Sequence, residues 1–257
     1  MMLKNSFKKF AGKVALVTGG SRGLGAATAL ALAEEGANVV ITYVSSSSSE
    51  KANAVVREAE AKGVRAVAIQ SNQAEAHKAE ELIQHIVESM GRLDMLVNNA
   101  AVAYQGIPID SPEIDIAALD HQYAVNFTGV IALIRAAVKV MGDGGRIITI
   151  GSGVASRTGH PGLADYAATK AAIVGYSKGA ARDLAPRNIT VNVIQAGVME
   201  TDMAAPYAEA KPVIISTLAI KRFADVKEVA AGIVFLASPE ASYITGSVFD
   251  VDGGYGA

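Results

Sequence analysis

The 257-residue sequence predicts an α/β protein in which one parallel sheet of seven strands carries helices on both faces. Short apolar runs of strand length alternate with longer stretches that carry alanine, leucine and charged residues at helical spacing. The predicted strands are 13–18, 38–43, 64–70, 93–98, 145–151, 189–194 and 247–251, and the predicted helices are 23–35, 49–62, 74–90, 116–140, 164–185 and 226–237. Because each crossover must return the chain to the same sheet, this alternation indicates a doubly wound sheet. No linker or internal repeat divides the chain, so we expect one domain over residues 1–257.

The composition favours small-molecule chemistry. Hydrophobic residues make up 51% of the chain, which is ample material for a large core. The formal net charge of −2 gives no basic surplus, so we expect neither nucleic acid nor an anionic membrane as a partner. The sequence contains no cysteine, which excludes disulfides and thiolate metal sites.

The sequence gives no targeting or metal-binding signal. Lys4, Lys8 and Lys9 lie near the start, but no long apolar stretch follows them, which argues against a signal peptide. No later segment has 18 uninterrupted apolar residues, so we expect a cytoplasmic protein without a membrane helix. The four histidines lack a metal-binding spacing, and we predict no metal site. They are His77, His85, His121 and His160.

A glycine-rich loop connects the first predicted strand to the first predicted helix. It reads Thr18-Gly-Gly-Ser-Arg-Gly-Leu-Gly25. Glycines let the backbone turn tightly and approach a pyrophosphate, and the amides that open the following helix attract its negative charge. This context indicates a Rossmann-type dinucleotide-binding domain, although a tight strand-to-helix connection uses glycines in the same way. The predicted cofactor contacts in the loop are Gly19, Ser21, Arg22, Gly23, Leu24 and Gly25.

The segment after the second predicted strand favours NADP(H) over NAD(H). A carboxylate in this region usually binds the ribose 2′-hydroxyl of NAD, and this chain has none there. Instead, Tyr43 is followed by a run of serines that includes Ser45 and Ser46, and these hydroxyls do not repel a 2′-phosphate. Arg22 can add a guanidinium. The alternative is that the serines form a flexible loop and that Arg22 is simply solvated.

Tyr166 and Lys170 predict carbonyl chemistry. Side chains four residues apart lie on one face of a helix, so the ammonium of Lys170 can sit beneath the phenol of Tyr166. A nearby cation lowers the pKa of a phenol and makes it a usable acid at neutral pH. With Ser152 before them, these residues indicate a ketone reductase. The same spacing also occurs on ordinary solvated helices.

The least regular tract is 196–225, which contains Pro206 and Pro212. Connections this long inside compact domains are usually functional, so we expect a mobile lid over the substrate, with Gly197 as a possible pivot. An irregular but fixed excursion is the alternative.

Taken in order, the glycine loop, Asn98-Asn99-Ala100, Asn126, Ser152 and Tyr166-x-x-x-Lys170 resemble the classical short-chain dehydrogenases/reductases over nearly the whole chain. The resemblance implies a catalytic tetrad. In it, Tyr166 donates the proton, Ser152 orients the carbonyl oxygen, Lys170 tunes Tyr166 and grips the nicotinamide ribose, and Asn126 holds a proton-relay water. It also implies a homotetramer built through helices 116–140 and 164–185, although their small residues equally suit burial within one subunit.

The resemblance extends the predicted cofactor contacts beyond the glycine loop. They are Asn72, Asn99, Ala100, Tyr166, Lys170, Gly197, Val198 and Thr201. Three features depart from the usual family pattern. Ala101 stands where a glycine is usual, Ala196 stands where a proline is usual, and Ser152 precedes Tyr166 by 14 residues where many relatives have 13.

The predicted function is NADP(H)-dependent, reversible reduction of a ketone to a secondary alcohol. One alternative is a 3-oxoacyl-[acyl-carrier-protein] reductase, for which Arg182 and Arg187 offer basic groups near the entrance, whereas Asp143 is unfavourable. We favour a free, neutral ketone because the residues expected around the pocket are small or apolar. They are Ala101, Val102, Gly153, Val154, Val198 and Met199. The alternative of another class is a non-catalytic NADP-sensing regulator.

Overall fold

The computed structural model describes residues 8–205 and 208–257. Lys4 and Pro206, both named above, lie outside the described residues. The strands form one parallel sheet in the order β3-β2-β1-β4-β5-β6-β7, which confirms the predicted doubly wound, seven-stranded fold. The strands are β1 Val14–Val17, β2 Asn38–Tyr43, β3 Ala66–Gln70, β4 Met95–Asn98, β5 Arg146–Ser152, β6 Thr190–Ala196 and β7 Val248–Val251.

Helices cover both faces of the sheet. One face packs against α1, α2 and α8, and the other packs against α3, α5 and α6. The helices are α1 Gly23–Glu34, α2 Ser49–Glu60, α3 Ala79–Met90, α4 Ile116–Tyr123, α5 Gly129–Val140, α6 Ala164–Leu184, α7 Lys211–Thr217 and α8 Val226–Ala237. After β3 the chain crosses back to pair β4 with β1. This change of direction opens a crevice at the carboxyl ends of β1 and β4, where ligands bind in such sheets.

Two segments differ from the sequence expectation. The helix predicted over 116–140 is continuous, but it contains a π-helical turn, Ala124–Thr128, between α4 and α5. The tract expected to be irregular contains the short helix α7. Pro212 lies in the first turn of α7, where a missing N–H costs nothing because that turn has no earlier carbonyl to bond. Pro212, part of the tract expected to be irregular, therefore lies at the beginning of a helix.

The stretch Ile116–Val140 is, among the described residues, the one helix long and apolar enough to cross a membrane by length and composition alone. It has 25 residues and a mean hydropathy of 1.4. Val130, Leu133 and Ile134 on this stretch are buried in the core, in the layer that also contains α3. A core helix of a globular domain passes the same test for this reason.

Candidate active site

The carboxyl ends of β1 and β4 are joined by side-chain hydrogen bonds. The hydroxyl of Thr18 accepts from the backbone N–H groups of Asn99 (3.0 Å) and Ala100 (2.9 Å). In return, the side-chain amide of Asn99 donates to the carbonyls of Thr18 (2.8 Å) and Gly19 (3.3 Å). Asn99, predicted to contact the cofactor, therefore braces the glycine loop, while Ala100 lies directly beneath Gly19.

The glycine loop forms a cradle that side chains would fill. Gly19 and Gly23 have positive φ angles of 64° and 55°, which other L residues rarely adopt. A Cβ atom on Gly25 would lie 2.3 Å from the carbonyl oxygen of Gly19. Arg22 is the N-cap of α1, and its side chain does not cap the helix. The first amides of α1 can therefore serve an anion, and this backbone fits a dinucleotide pyrophosphate.

The serine run after β2 is ordered. The Ser45 hydroxyl accepts from the Ser47 N–H (3.2 Å) and opens the short 3₁₀ turn Ser46–Ser48. The Tyr43 hydroxyl lies 3.5 Å from the Ser49 hydroxyl at the beginning of α2. Ser45 and Ser46 are exposed, and no acidic side chain lies between Tyr43 and Ser49. The surface at this strand end is polar and carries no negative charge of its own.

Arg22 reaches from the glycine loop toward the tract after β6. Its Nε lies 3.7 Å from an Asp202 carboxylate oxygen, and both side chains are more than half exposed. Thr201 packs beside Gly23, because a Cβ atom on that glycine would lie 3.5 Å from the Thr201 methyl carbon. The start of the predicted lid therefore lies against the glycine loop.

Asn72 and Gln73 follow β3 at the adjacent strand end. The Asn72 side-chain carbonyl accepts from the Ala74 N–H (3.1 Å), and its second lone pair can accept another donor. Gln73, which the sequence analysis did not single out, is buried and donates to the carbonyls of Ala100 (3.0 Å) and Val125 (2.8 Å). It ties three chain segments together behind the cradle. The backbone of Gln73 also packs against α5, because a Cβ atom on Gly129 would lie 2.0 Å from the Gln73 carbonyl oxygen.

Asn126 is 2% exposed and lies in the π-helical turn. Its amide donates to the Val102 carbonyl (2.8 Å) and to the Thr169 hydroxyl (3.3 Å), while its side-chain oxygen accepts from the Val102 N–H (2.9 Å). Thr169 in turn donates to the Tyr166 carbonyl (2.8 Å). Asn126 thus braces the Val102 loop against α6. Both of its amide protons are used, so a relay water held here would have to bond mainly to the backbone of the turn.

Lys170 and Tyr166 lie on the same face of α6, as the spacing predicted. Lys170 is 4% exposed, and its Nζ donates to the Ile150 carbonyl (2.9 Å). The same Nζ lies 5.7 Å from the centroid of the half-buried Tyr166 ring. Burial lowers the pKa of Lys170 from its ordinary 10.5 to about 8. An ammonium beside a phenol favours the phenolate, so Lys170 is placed to stabilise the charge that Tyr166 would carry after giving up its proton.

Ser152 is the last residue of β5 and pairs in register with Ala196 at the end of β6. Its hydroxyl accepts from the Val154 N–H at 3.4 Å and is half-buried. Ser156, the other serine nearby, is engaged by the side chain of Gln195 at 3.0 and 3.2 Å. Ser152 therefore ends β5, one residue beyond the predicted strand 145–151, and the Gln195 side chain that engages Ser156 is not bonded to Ser152.

The tract after β6 is anchored at both ends. A Cβ atom on Gly197 would lie 2.6 Å from the Asp252 Cα, so only glycine fits there. Beyond Val198, Met199 forms a parallel bridge with Ala224, which brings the two ends of the tract together. The ion pair between Glu200 and Lys211 joins the first residues of the tract to its own short helix, α7.

Comparisons with known proteins identify the family. A family model described as Enoyl-(Acyl carrier protein) reductase matches residues 19–256. A short chain dehydrogenase from Burkholderia cenocepacia J2315, solved in complex with NADP, is 42% identical and has a TM-score of 0.91, covering 97% of this chain and 100% of that chain. The chain belongs to the short-chain dehydrogenase/reductase family. Membership in it confirms the predicted resemblance and makes the protein an oxidoreductase.

Two further proteins are similar over almost their full length. A 3-oxoacyl-[acyl-carrier-protein] reductase from Synechocystis is 44% identical over 247 residues, which cover 94% of this chain and 96% of the relative. A blue fluorescent protein from a metagenomic library, solved with NADPH, is 41% identical with a TM-score of 0.93, covering 97% of this chain and 100% of that chain. The complexes with NADP and NADPH support binding of the phosphorylated cofactor by this member as well.

Proposed function

We propose that the protein reduces a free, neutral ketone to a secondary alcohol and uses NADPH in preference to NADH. The observation that carries this proposal is the buried Lys170 ammonium, 5.7 Å from the Tyr166 ring, on the helix that follows Ser152. A buried lysine beside a tyrosine is unfavourable for folding, so a catalytic role is the better account of the pair.

In this proposal, Tyr166 donates its phenolic proton to the carbonyl oxygen of the ketone. The Ser152 hydroxyl hydrogen-bonds the same oxygen and orients it toward Tyr166. Bound NADPH supplies a hydride to the carbonyl carbon, so ketone, hydride and proton give the secondary alcohol and NADP⁺. With a pKa of about 8, Lys170 is mainly protonated at pH 7, and its charge stabilises the phenolate that proton donation leaves on Tyr166.

We assign the cofactor to the cradle and the adjoining strand ends. The amides at Gly23 and Leu24 are proposed to face the pyrophosphate, with Ser21 beside them. The serines at the end of β2 and Arg22 are proposed to receive the 2′-phosphate. The absence of a carboxylate between Tyr43 and Ser49 supports the preference for NADPH. Val198 and Thr201 are proposed to lie on the nicotinamide side.

The choice of a free ketone over a carrier-bound one rests on the basic residues. Arg187 donates to the carbonyls of Val138 (2.8 Å) and Met141 at the end of α5, and its Nε lies 3.7 Å from Asp143. The Arg187 guanidinium is therefore already bonded to the end of α5 and paired with a nearby carboxylate. Of the two arginines predicted near the entrance, Arg182 is the exposed one without such bonds to the end of α5, and one arginine is a weak basis for docking an acidic carrier. The names of the curated relatives support the carrier-bound substrate as the second candidate.

The test is steady-state oxidation of NADPH and, separately, NADH with aliphatic ketones, aryl ketones and 3-oxoacyl thioesters. We expect turnover with NADPH and a free ketone, and much weaker turnover with NADH. A clear preference for a thioester on its carrier protein would select the second candidate. Tight NADPH binding without turnover of any ketone or thioester would instead support a non-catalytic NADP sensor and overturn the proposal.

We also propose a cytoplasmic homotetramer with a lid formed by residues 196–225. The exposed apolar side chains of Ile116 and Tyr123 on α4 support subunit contacts through this region. Sedimentation equilibrium is expected to give four times the chain mass, and a monomer would contradict the assembly.

Cofactor-dependent protection of 196–225 from hydrogen exchange would support the lid.

A further inference from the structure

The chain folds back on itself after β7, in a segment that we call the C-terminal strap, residues 252–256. Asp252 is buried, and its two carboxylate oxygens accept from the backbone N–H groups of Gly254 (2.8 Å) and Gly256 (2.9 Å). Gly253 and Gly254 have positive φ angles of 66° and 78°. These bonds fix the strap in one tight turn, and the turn requires glycine at both positions.

The strap holds the serine loop, residues 153–159, which begins directly after Ser152. The Tyr255 hydroxyl donates to the Arg157 carbonyl (3.1 Å) and accepts from the Gly159 N–H (3.0 Å). Arg157 donates back to the Tyr255 carbonyl (2.6 Å), and its guanidinium carbon lies 5.3 Å from the Tyr255 ring centroid. The ring also covers Gly153, where a Cβ atom would lie 2.8 Å from it. One tyrosine thus contacts both ends of the serine loop.

The strap also contacts both ends of the tract proposed as the lid. At the start of that tract, Gly197 packs so closely on Asp252 that no side chain would fit. At its far end, the Ile220 N–H donates to the Gly253 carbonyl (2.9 Å). Gly254 lies against Ala219, since a Cβ atom on that glycine would be 2.6 Å from the alanine Cβ. The serine loop and the two ends of this tract therefore share one support, the C-terminal strap.

We propose that the C-terminal strap, acting through Tyr255, positions the serine loop and sets its distance from Gly197, Ala219 and Ile220, and so limits the size of the ketone that reaches Ser152. Tyr255 is a positioning and specificity-determining residue, not a catalytic one. This inference rests on the proposed ketone reduction, because it concerns the same pocket. Residues 157–159 of the serine loop are exposed, and beyond Ser156, which Gln195 holds, they have little packing of their own to replace the bonds from Tyr255.

The test is the variant Tyr255→Phe, which removes the hydroxyl and keeps the ring over Gly153. The matched control is Tyr243→Phe, because Tyr243 is fully exposed. We expect Tyr255→Phe to raise the KM for a small ketone about tenfold with a smaller change in kcat, as loss of two hydrogen bonds to the loop permits. The ratio of kcat/KM for a bulky aryl ketone to that for the small ketone is expected to rise. The Kd of NADPH is expected to stay unchanged.

A second readout does not depend on turnover. Hydrogen exchange of the peptide that contains residues 153–159 is expected to be faster in Tyr255→Phe than in Tyr243→Phe or the unaltered protein. If the unaltered protein turns over no ketone but the exchange difference is present, the proposed function fails and the positioning by the strap stands. Unchanged KM, selectivity and exchange in Tyr255→Phe would overturn the inference.

The variant Arg157→Met covers the case in which Tyr255→Phe does not fold. Arg157 is exposed, so its replacement leaves the core intact, yet it removes the bond to the Tyr255 carbonyl. We expect the same direction of change in KM, selectivity and exchange, with a smaller size. Behaviour identical to that of Tyr243→Phe would contradict the strap's role.

Discussion

The cofactor side and the substrate side of the crevice are built differently. On the cofactor side, Thr18, Asn99 and the glycine loop hold one another through bonds between adjacent strand ends, and the loop geometry is set by its own glycines. On the substrate side, the serine loop depends on Tyr255, which lies 98 residues further along the chain than Arg157. The glycines of the loop are a local motif that Asn99 braces from the neighbouring strand end, 81 residues after Thr18, whereas the serine loop lacks such a motif of its own and is held by Tyr255. We therefore expect changes on the cofactor side to alter binding of NADPH, and changes on the substrate side to alter chemistry and selectivity.

The largest expected effect is that of Tyr166→Phe on the substrate side. Loss of the proton donor is expected to lower kcat by about 100-fold to 10,000-fold, while the Kd of NADPH changes little. Tyr176→Phe on the same helix is the control and is expected to retain activity. The check is steady-state kinetics together with NADPH fluorescence titration. If Tyr166→Phe also lost NADPH binding, the assignment of binding to one side of the crevice and of chemistry to the other would be contradicted.

The next effect concerns Gly25→Ala on the cofactor side. The new methyl group would lie 2.3 Å from the Gly19 carbonyl oxygen, and neither backbone segment can move without opening the cradle. We expect a loss of about 1–3 kcal/mol in unfolding free energy and at least about tenfold weaker NADPH binding. Gly175→Ala is the matched control in α6, where nothing lies within 4 Å and alanine favours the helix by up to about 1 kcal/mol. If the two variants gave the same unfolding free energy and the same Kd of NADPH, the proposal that the glycine loop binds the cofactor and excludes a side chain at Gly25 would be wrong.

Lys170 joins the two sides, and its pKa predicts a dependence of stability on pH. Folding lowers the pKa from 10.5 to about 8, so between these values the unfolded chain binds more protons and the folded protein gains stability as pH rises. Lys170→Met removes this gain. At pH 7 the unfolding free energy of Lys170→Met is expected to be higher than that of the unaltered protein, by at most about 3 kcal/mol. Loss of the hydrogen bond from Lys170 to the Ile150 carbonyl reduces this difference.

The difference in unfolding free energy between Lys170→Met and the unaltered protein should become smaller between pH 8 and pH 10. Urea unfolding of the cofactor-free protein at several pH values measures it. A difference that is constant across this range would show that Lys170 does not titrate with a lowered pKa.

The smallest expected effect is that of Arg22→Gln. Arg22 is exposed, so loss of its charge is expected to raise the KM for NADPH about fivefold and to leave the KM for NADH nearly unchanged. Asp202→Asn is the opposite control, because it frees Arg22 from its ion pair and should slightly lower the KM for NADPH. An equal change for both cofactors would place Arg22 away from the 2′-phosphate.

The sequence predicted the local motifs well and the long-range ones poorly. The sheet, the glycine cradle and the Tyr166–Lys170 pair follow from short spacings, because three or four residues fix a turn or a helix face. Gln73 and Tyr255 were missed because their partners lie 27 to 98 residues away and no local pattern marks them. The hydrogen bonds of the Asn126 side chain to Val102 could not be predicted either, since they depend on how Val102 approaches the π-helical turn.

The most direct test of the central claim is a double-mutant cycle on kcat with Ser152→Ala, Tyr166→Phe and the double variant. If both hydroxyls act on one carbonyl oxygen, removing the second after the first should cost little, and the double variant should be about as slow as the slower single variant. If the two losses multiply, Ser152 and Tyr166 act independently, and the account of a shared carbonyl oxygen is wrong.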